Sequence, residues 1–169
     1  MKRIFLSAIA VMAFGFANAQ DGHFKVGAHV GLPLGDIKDA SSVNLGVDAA
    51  YLWNVADKFT AGVTTGYTTY LAKTETYDFM GERIEVKGDD AGFIPVAGTA
   101  QYSISDNLFV GADLGYAIYV GSGDGVDGGF LYQPKFGYQN EKIELYAGYK
   151  GISSDLTFSS INLGFNYKF

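Results

Sequence analysis

From Phe24 onward, apolar and polar residues alternate with a period of two in one segment after another. That period marks an extended strand with two unlike faces, because successive side chains point to opposite sides. In Phe24 to Leu32, Phe24, Val26, Ala28, Val30 and Leu32 share one face, and Lys25, Gly27, His29 and Gly31 share the other. Val43 to Trp53 sets Val43, Leu45, Val47, Ala49, Tyr51 and Trp53 against Asn44, Gly46 and Asp48. Phe59 to Leu71 repeats this, with Thr60, Gly62, Thr64 and Gly66 opposing Phe59, Ala61, Val63 and Tyr67. The segments Phe93 to Ile104, Leu108 to Val120, Phe130 to Gln139, Ile143 to Gly151 and Ser159 to Phe169 bring the count of predicted strands to eight. Each is close to the roughly 9–11 residues with which a tilted strand crosses a hydrocarbon layer. Pro95 and Pro134 fall inside predicted strands, where each removes a ladder hydrogen bond, so a local bulge is expected at both.

Short connections at 54–58, 105–107 and 140–142 alternate with longer ones at 35–42, 72–92, 121–129 and 152–158. Turns on one side and loops on the other are the layout of bacterial outer-membrane barrels, whose long loops lie outside the cell. Alternation alone does not say which face is outside, since a soluble lipocalin-like barrel would bury the apolar one. Glycine separates the two readings. Gly27, Gly31, Gly46, Gly62, Gly66, Gly111, Gly115, Gly137, Gly148 and Gly164 crowd the polar face, as suits a small barrel whose interior barely fits side chains. The apolar face carries no charge, as expected where one Lys or Arg at the bilayer midplane costs about 2–4 kcal/mol. Its aromatics gather near strand ends, with Tyr51, Trp53, Phe59, Tyr102, Tyr138 and Tyr167 on the turn side and Tyr67, Tyr116, Phe130 and Tyr132 on the loop side. Such girdles fit the membrane interfaces. The expected fold is all-β, an eight-stranded antiparallel up-and-down transmembrane barrel.

The N-terminus reads differently. Lys2 and Arg3 precede an apolar run from Ile4 to Phe16, and Ala17-Asn18-Ala19 follows it, which predicts an export signal over 1–19 with cleavage before Gln20. Residues 20–169 then form one barrel domain. The absence of cysteine excludes a lipidated cysteine, disulfides and thiolate metal sites within this sequence. Loss of Lys2 and Arg3 makes the formal charge of −6 two units more negative, which argues against nucleic acid as a partner.

The eight-strand layout, the segments Phe93-Ile94-Pro95-Val96-Ala97-Gly98 and Val110-Gly111-Ala112-Asp113-Leu114-Gly115-Tyr116, and the closing Leu163-Gly164-Phe165-Asn166-Tyr167-Lys168-Phe169 resemble one known family. It is that of the small outer-membrane barrels of OmpA/OmpX type, and the resemblance spans residues 20–169. It implies residence in the bacterial outer membrane. The final strand ending in Phe resembles the signal that such proteins present to the outer-membrane assembly machinery, which implies Tyr167 and Phe169 as its readout. The family includes anchors, adhesins and proteins of unknown role, so it implies no single activity. No peptidoglycan-binding segment is recognised in the chain.

The inward face carries Lys25, Asp48, Asp113, Lys135, Glu144, Lys150 and Lys168 together with His29. Four lysines against three carboxylates suggest a salt-bridged plug, because an unpaired buried ion is costly. Asp113 and Lys135, at similar depth on neighbouring strands, are the expected pair. A narrow passive pore is the alternative, although selectivity filters usually carry an excess of one sign. A lipid-modifying enzyme is a second alternative. It would need a nucleophile beside an imidazole base, and only His23 and His29 offer one, His29 near Thr64 or Asn162. No G-x-S-x-G motif occurs, and no catalytic, cofactor or metal residue is assigned. The Gly- and Asp-rich stretch 121–129 is too short and single to be a calcium repeat and reads as a hairpin loop.

The 72–92 loop is longer than joining two strands requires. It holds Glu75, Asp78, Glu82, Glu85, Asp89 and Asp90 with Arg83 among them, and Arg83 to Lys87 alternates like a strand. The third and fourth strands are therefore expected to continue above the membrane as a hairpin, the candidate surface for an extracellular ligand or for lipopolysaccharide. The barrel is expected to be monomeric.

Overall fold

A computed structural model describes residues 22–79, 82–121 and 127–169, without the side chains of 75–79, 82 and 84–87. The expected signal segment, its cleavage before Gln20 and the middle of the 121–129 loop lie outside the described residues. Ten strands are present: β1 (Gly22–Leu34), β2 (Ser41–Ala56), β3 (Phe59–Ala72), β4 (Thr74–Phe79), β5 (Glu82–Lys87), β6 (Ala91–Ser103), β7 (Leu108–Tyr119), β8 (Gly129–Gln139), β9 (Ile143–Ser153) and β10 (Thr157–Lys168). Eight close into an antiparallel barrel in the order β1-β10-β9-β8-β7-β6-β3-β2, and β4 and β5 form a separate two-stranded sheet. Closure pairs Lys25 with Lys168 and runs to Leu34 with Ser159, so no barrel edge is left free.

All eight strands expected from alternation are there, several longer than expected. β2 runs 16 residues because pairing with β3 continues to the tight turn at Asp57 and Lys58. Two register shifts lie in that same ladder, between Ser41 and Val43 and between Asn54 and Ala56. The prolines behave otherwise than expected. At Pro95 the β3–β6 ladder skips from Thr65↔Val96 to Thr68↔Phe93, and at Pro134 the β8–β9 ladder skips from Tyr132↔Gly151 to Lys135↔Gly148. Register is unchanged across both gaps, and each proline stays paired on its other side, with Ala117 and Ala112. A missing N–H interrupts one ladder without inserting a residue, so no bulge forms.

The charge-free face is the outer one. Val30, Val47, Leu114, Phe136, Leu163 and their alternates are exposed around the whole barrel, the surface that hydrocarbon must cover. Inside, large side chains and glycines form a checkerboard across the ladders. His29 lies between Gly46 and Gly164, Asp48 between Gly27 and Gly66, Lys135 between Gly111 and Gly148, and Tyr146 between Gly137 and Gly164. A Cβ at Gly46 would run into the His29 ring, and one at Gly164 into the Tyr146 ring. The glycines are the space that the polar side chains fill.

Candidate functional site

The lumen is built in layers from the turn side upward. At the turn side, Lys25 donates to Glu144 at 2.7 Å and to Gln101 at 3.2 Å. Glu144 also accepts from Gln101 at 3.2 Å and Asn166 at 3.0 Å, and Gln101 donates to Gln139 at 2.9 Å. Glu144 is 1% exposed, so its carboxylate is satisfied entirely by these neighbours. Lys168 sits at the mouth beside Lys25, half out of this layer.

Next comes Lys135, whose ammonium donates to both carboxylate oxygens of Asp113 at 2.8 Å and stands 5.5 Å from the centre of the Tyr146 ring. This pair, together with Asp48, Lys25, Gln133, Tyr146 and Asn166, lines a cavity of about 20 Å³, room for roughly one water molecule.

Above it, His29 donates from Nδ1 to Asp48 at 2.6 Å, and Lys150 donates to His29 Nε2 at 2.8 Å. The Thr68 hydroxyl lies 3.2 Å from the same nitrogen and accepts from Asn44 at 2.8 Å. Lys150 reaches this point from β9 by crossing β10, and it is 1% exposed. His29 thus meets Asp48, Thr68 and Lys150 rather than Thr64 or Asn162. Asn162 is buried with neither amide atom hydrogen-bonded among the described residues.

The loop end of the lumen is apolar, which the alternation gave no sign of. Tyr70, Phe93, Leu131, Ile152 and Phe158 point inward and pack with Ile37, and the rings of Phe93 and Phe158 lie 5.0 Å apart. Ile37 arrives from the loop after β1, on a 3₁₀ turn opened by Gly35 at φ 64°, a left-handed conformation that glycine adopts without strain. Tyr70 joins this cap to the polar layers through Ser160 at 3.2 Å.

The seven expected interior charges therefore fall into a Lys25–Glu144 pair, an Asp113–Lys135 pair, a Lys150–His29–Asp48 chain and Lys168 at the mouth. Sequence reasoning missed Gln101, Gln139, Asn166, Asn44 and Thr68, whose signal was only their inward parity. Among the described residues no group of three or more His, Cys, Asp or Glu side chains could hold a metal ion.

At the last strand, Phe169 is 74% exposed on the outer surface, 5.0 Å from the Tyr167 ring and 6.0 Å from that of Phe24, and its N–H donates to Phe24 at 2.8 Å. In the long loop, β4 and β5 pair from Thr74↔Lys87 to Phe79↔Glu82. The hairpin is its own sheet rather than a continuation of the third and fourth barrel strands. Lys73 and residues 88–90 are out of strand at its base, where the Asp90 carboxylate accepts the N–H of Ala72 at 2.8 Å. Arg83 and Asp89 are exposed, and the side chains of Glu75, Asp78, Glu82 and Glu85 lie outside the described residues.

No family model and no curated relative matches the chain. Solved structures do. The attachment invasion locus protein Ail of Yersinia pestis is similar at a TM-score of 0.55 and 13% identity, over 88% of this chain and 97% of that one. Neisserial surface protein A is similar at 0.55 and 17%, over 90% and 99%. A de novo designed transmembrane β-barrel is similar at 0.52 and 15%, over 89% and 99%. With its closed eight-strand order and charge-free outer belt, the chain has the fold of the small bacterial outer-membrane β-barrels.

Proposed function

We propose that the protein is a non-enzymatic outer-membrane scaffold, a barrel plugged by its own side chains that presents extracellular loops to lipopolysaccharide or to an extracellular ligand. The observation that carries this reading is the filled lumen. Paired charges occupy the lower and middle layers, the apolar group around Phe93 and Phe158 occupies the loop end, and the cavity between Asp48 and Lys135 is about 20 Å³. A conducting path needs a continuous wet channel, usually lined by one sign of charge. Here opposite charges meet each other.

The hairpin β4–β5 supports the loop half of the reading. It stands apart from the barrel sheet, and a two-stranded sheet has edges that a partner can extend. Thr68, His29 and Asp48 are ordered like nucleophile, base and acid. Yet Thr68 is fully buried and hydrogen-bonded by Asn44, which supports a structural role.

Planar-bilayer recording on refolded protein tests the plug. The expected trace shows no unitary steps, and steady single-channel conductance would establish the pore instead.

A further inference from the structure

The Lys150–His29–Asp48 chain has a property that the plugged scaffold does not require. Lys150 is a buried ammonium whose near acceptors are His29 Nε2 at 2.8 Å and Thr68 at 3.5 Å. His29 can accept there only while neutral, with its single proton on Nδ1 facing Asp48 at 2.6 Å. A second proton would place an N–H on Nε2, where the ammonium now donates. The imidazolium would keep Asp48 as an ion pair, and among the described residues Lys150 would keep only Thr68 as a hydrogen-bond acceptor.

We propose that His29 and Lys150 form an acid-released latch across the lumen, closed while His29 is neutral and opened when it is protonated. The latch joins β9 to β1 over the intervening β10, and through Asp48 and Thr68 it draws in β2 and β3. The charged and titratable groups around His29 are Asp48 on β2 and Lys150 and Tyr146 on β9, with Asp113 on β7 and Lys135 on β8 lining the adjoining cavity. The facing residues of β3 and β10 are the neutral Thr68 and Gly164. An unfolded chain binds a proton on histidine freely, whereas the folded barrel must break the latch to do so. Proton uptake therefore favours unfolding, and the latch's stabilisation, present at neutral pH, is lost as pH falls from about 7 to about 5.

The experiment follows the unfolding rate of refolded barrel in phosphatidylcholine vesicles across that interval, by loss of the compact band on unheated gels. Wild type is expected to unfold several-fold faster at the acid end, because the latch is closed only at the neutral end. His29→Gln offers an N–H to Asp48 and a carbonyl to Lys150 without titrating, so its rate should stay within about twofold over the same range. Lys150→Met removes the cation that needs the acceptor and should flatten the response too, which tests the latch independently if the glutamine variant fails to fold. His23→Gln controls for the other histidine and should respond to acid as wild type does. A wild type indifferent to pH, a His29→Gln barrel with the full acid response, or a His23→Gln barrel without one would each overturn the latch.

Discussion

Asp113 and Lys135 meet through both carboxylate oxygens in a lumen with almost no solvent, so each is stable there only because of the other. Asp113→Leu should cost about 3–5 kcal/mol by stranding the ammonium, and adding Lys135→Met should recover much of that loss. Urea midpoints of the two single variants and the double variant measure it, and simple additivity would mean that the pair carries no coupling. Glycines give a second contrast. A Cβ at Gly46 would stand 2.6 Å from His29 Nε2 and 2.7 Å from the Tyr67 carbonyl, while one at Gly98 meets nothing nearer than 3.8 Å. Gly46→Ala should therefore destabilise by about 1–3 kcal/mol and Gly98→Ala by much less or not at all; equal midpoints would contradict the checkerboard. The inward parity of Asp113, Lys135 and Gly46 was legible from period two alone. Their partners were not, because stagger between strands sets which side chains meet. His29 bonds Asp48, two residues beyond its paired Gly46, an offset that needs the register. The apolar cap was hidden for a related reason, since Phe93, Leu131 and Ile152 sit at inward parity among residues that read as lipid-facing.

Single elements carry the outward-looking features. The hairpin was foreseeable from the alternation of Arg83 to Lys87. Its detachment was not, because alternation carries no sign of the break at its base, where Asp90 turns back to cap the N–H of Ala72. That hydrogen bond and the one from the Lys73 N–H to Ala40 at 2.8 Å both lie outside 74–89, so replacing residues 74–89 with a short Gly/Ser turn should leave the barrel folded while removing surface attachment or sensitivity to divalent cations. A barrel that no longer folds, or surface behaviour that survives intact, would show that the hairpin is not the contact element. The last strand makes a different prediction. Phe169 is mostly exposed and touches its surroundings chiefly through Phe24 and Tyr167, so deleting it should change the stability of already folded protein by no more than about 1 kcal/mol. If that terminus is read by the assembly machinery, the same deletion should sharply reduce folded barrel in cells. Equal accumulation with and without Phe169 would remove the recognition role.

For the molecule as a whole, closure and the outer belt act together. Every barrel strand has two neighbours, so no backbone edge is presented to hydrocarbon, and the face that meets lipid has no charge to solvate. Glycine placement made this legible in the sequence, since only a narrow interior explains small residues on the polar face. The seam between β1 and β10 closes the barrel antiparallel, which an even number of up-and-down strands allows. Such a barrel opens only by breaking whole ladders at once, so detergent alone should leave it closed. The expected outcome is that the protein, with its N-terminus at Gln20 after export, fractionates with the outer membrane and migrates as a compact species on a denaturing gel until it is boiled. Mobility that does not change on heating would contradict closure, and recovery of the native chain from the soluble periplasmic fraction would contradict the membrane belt. An N-terminus at Met1 in the folded population would remove the export signal while leaving both of those conclusions standing.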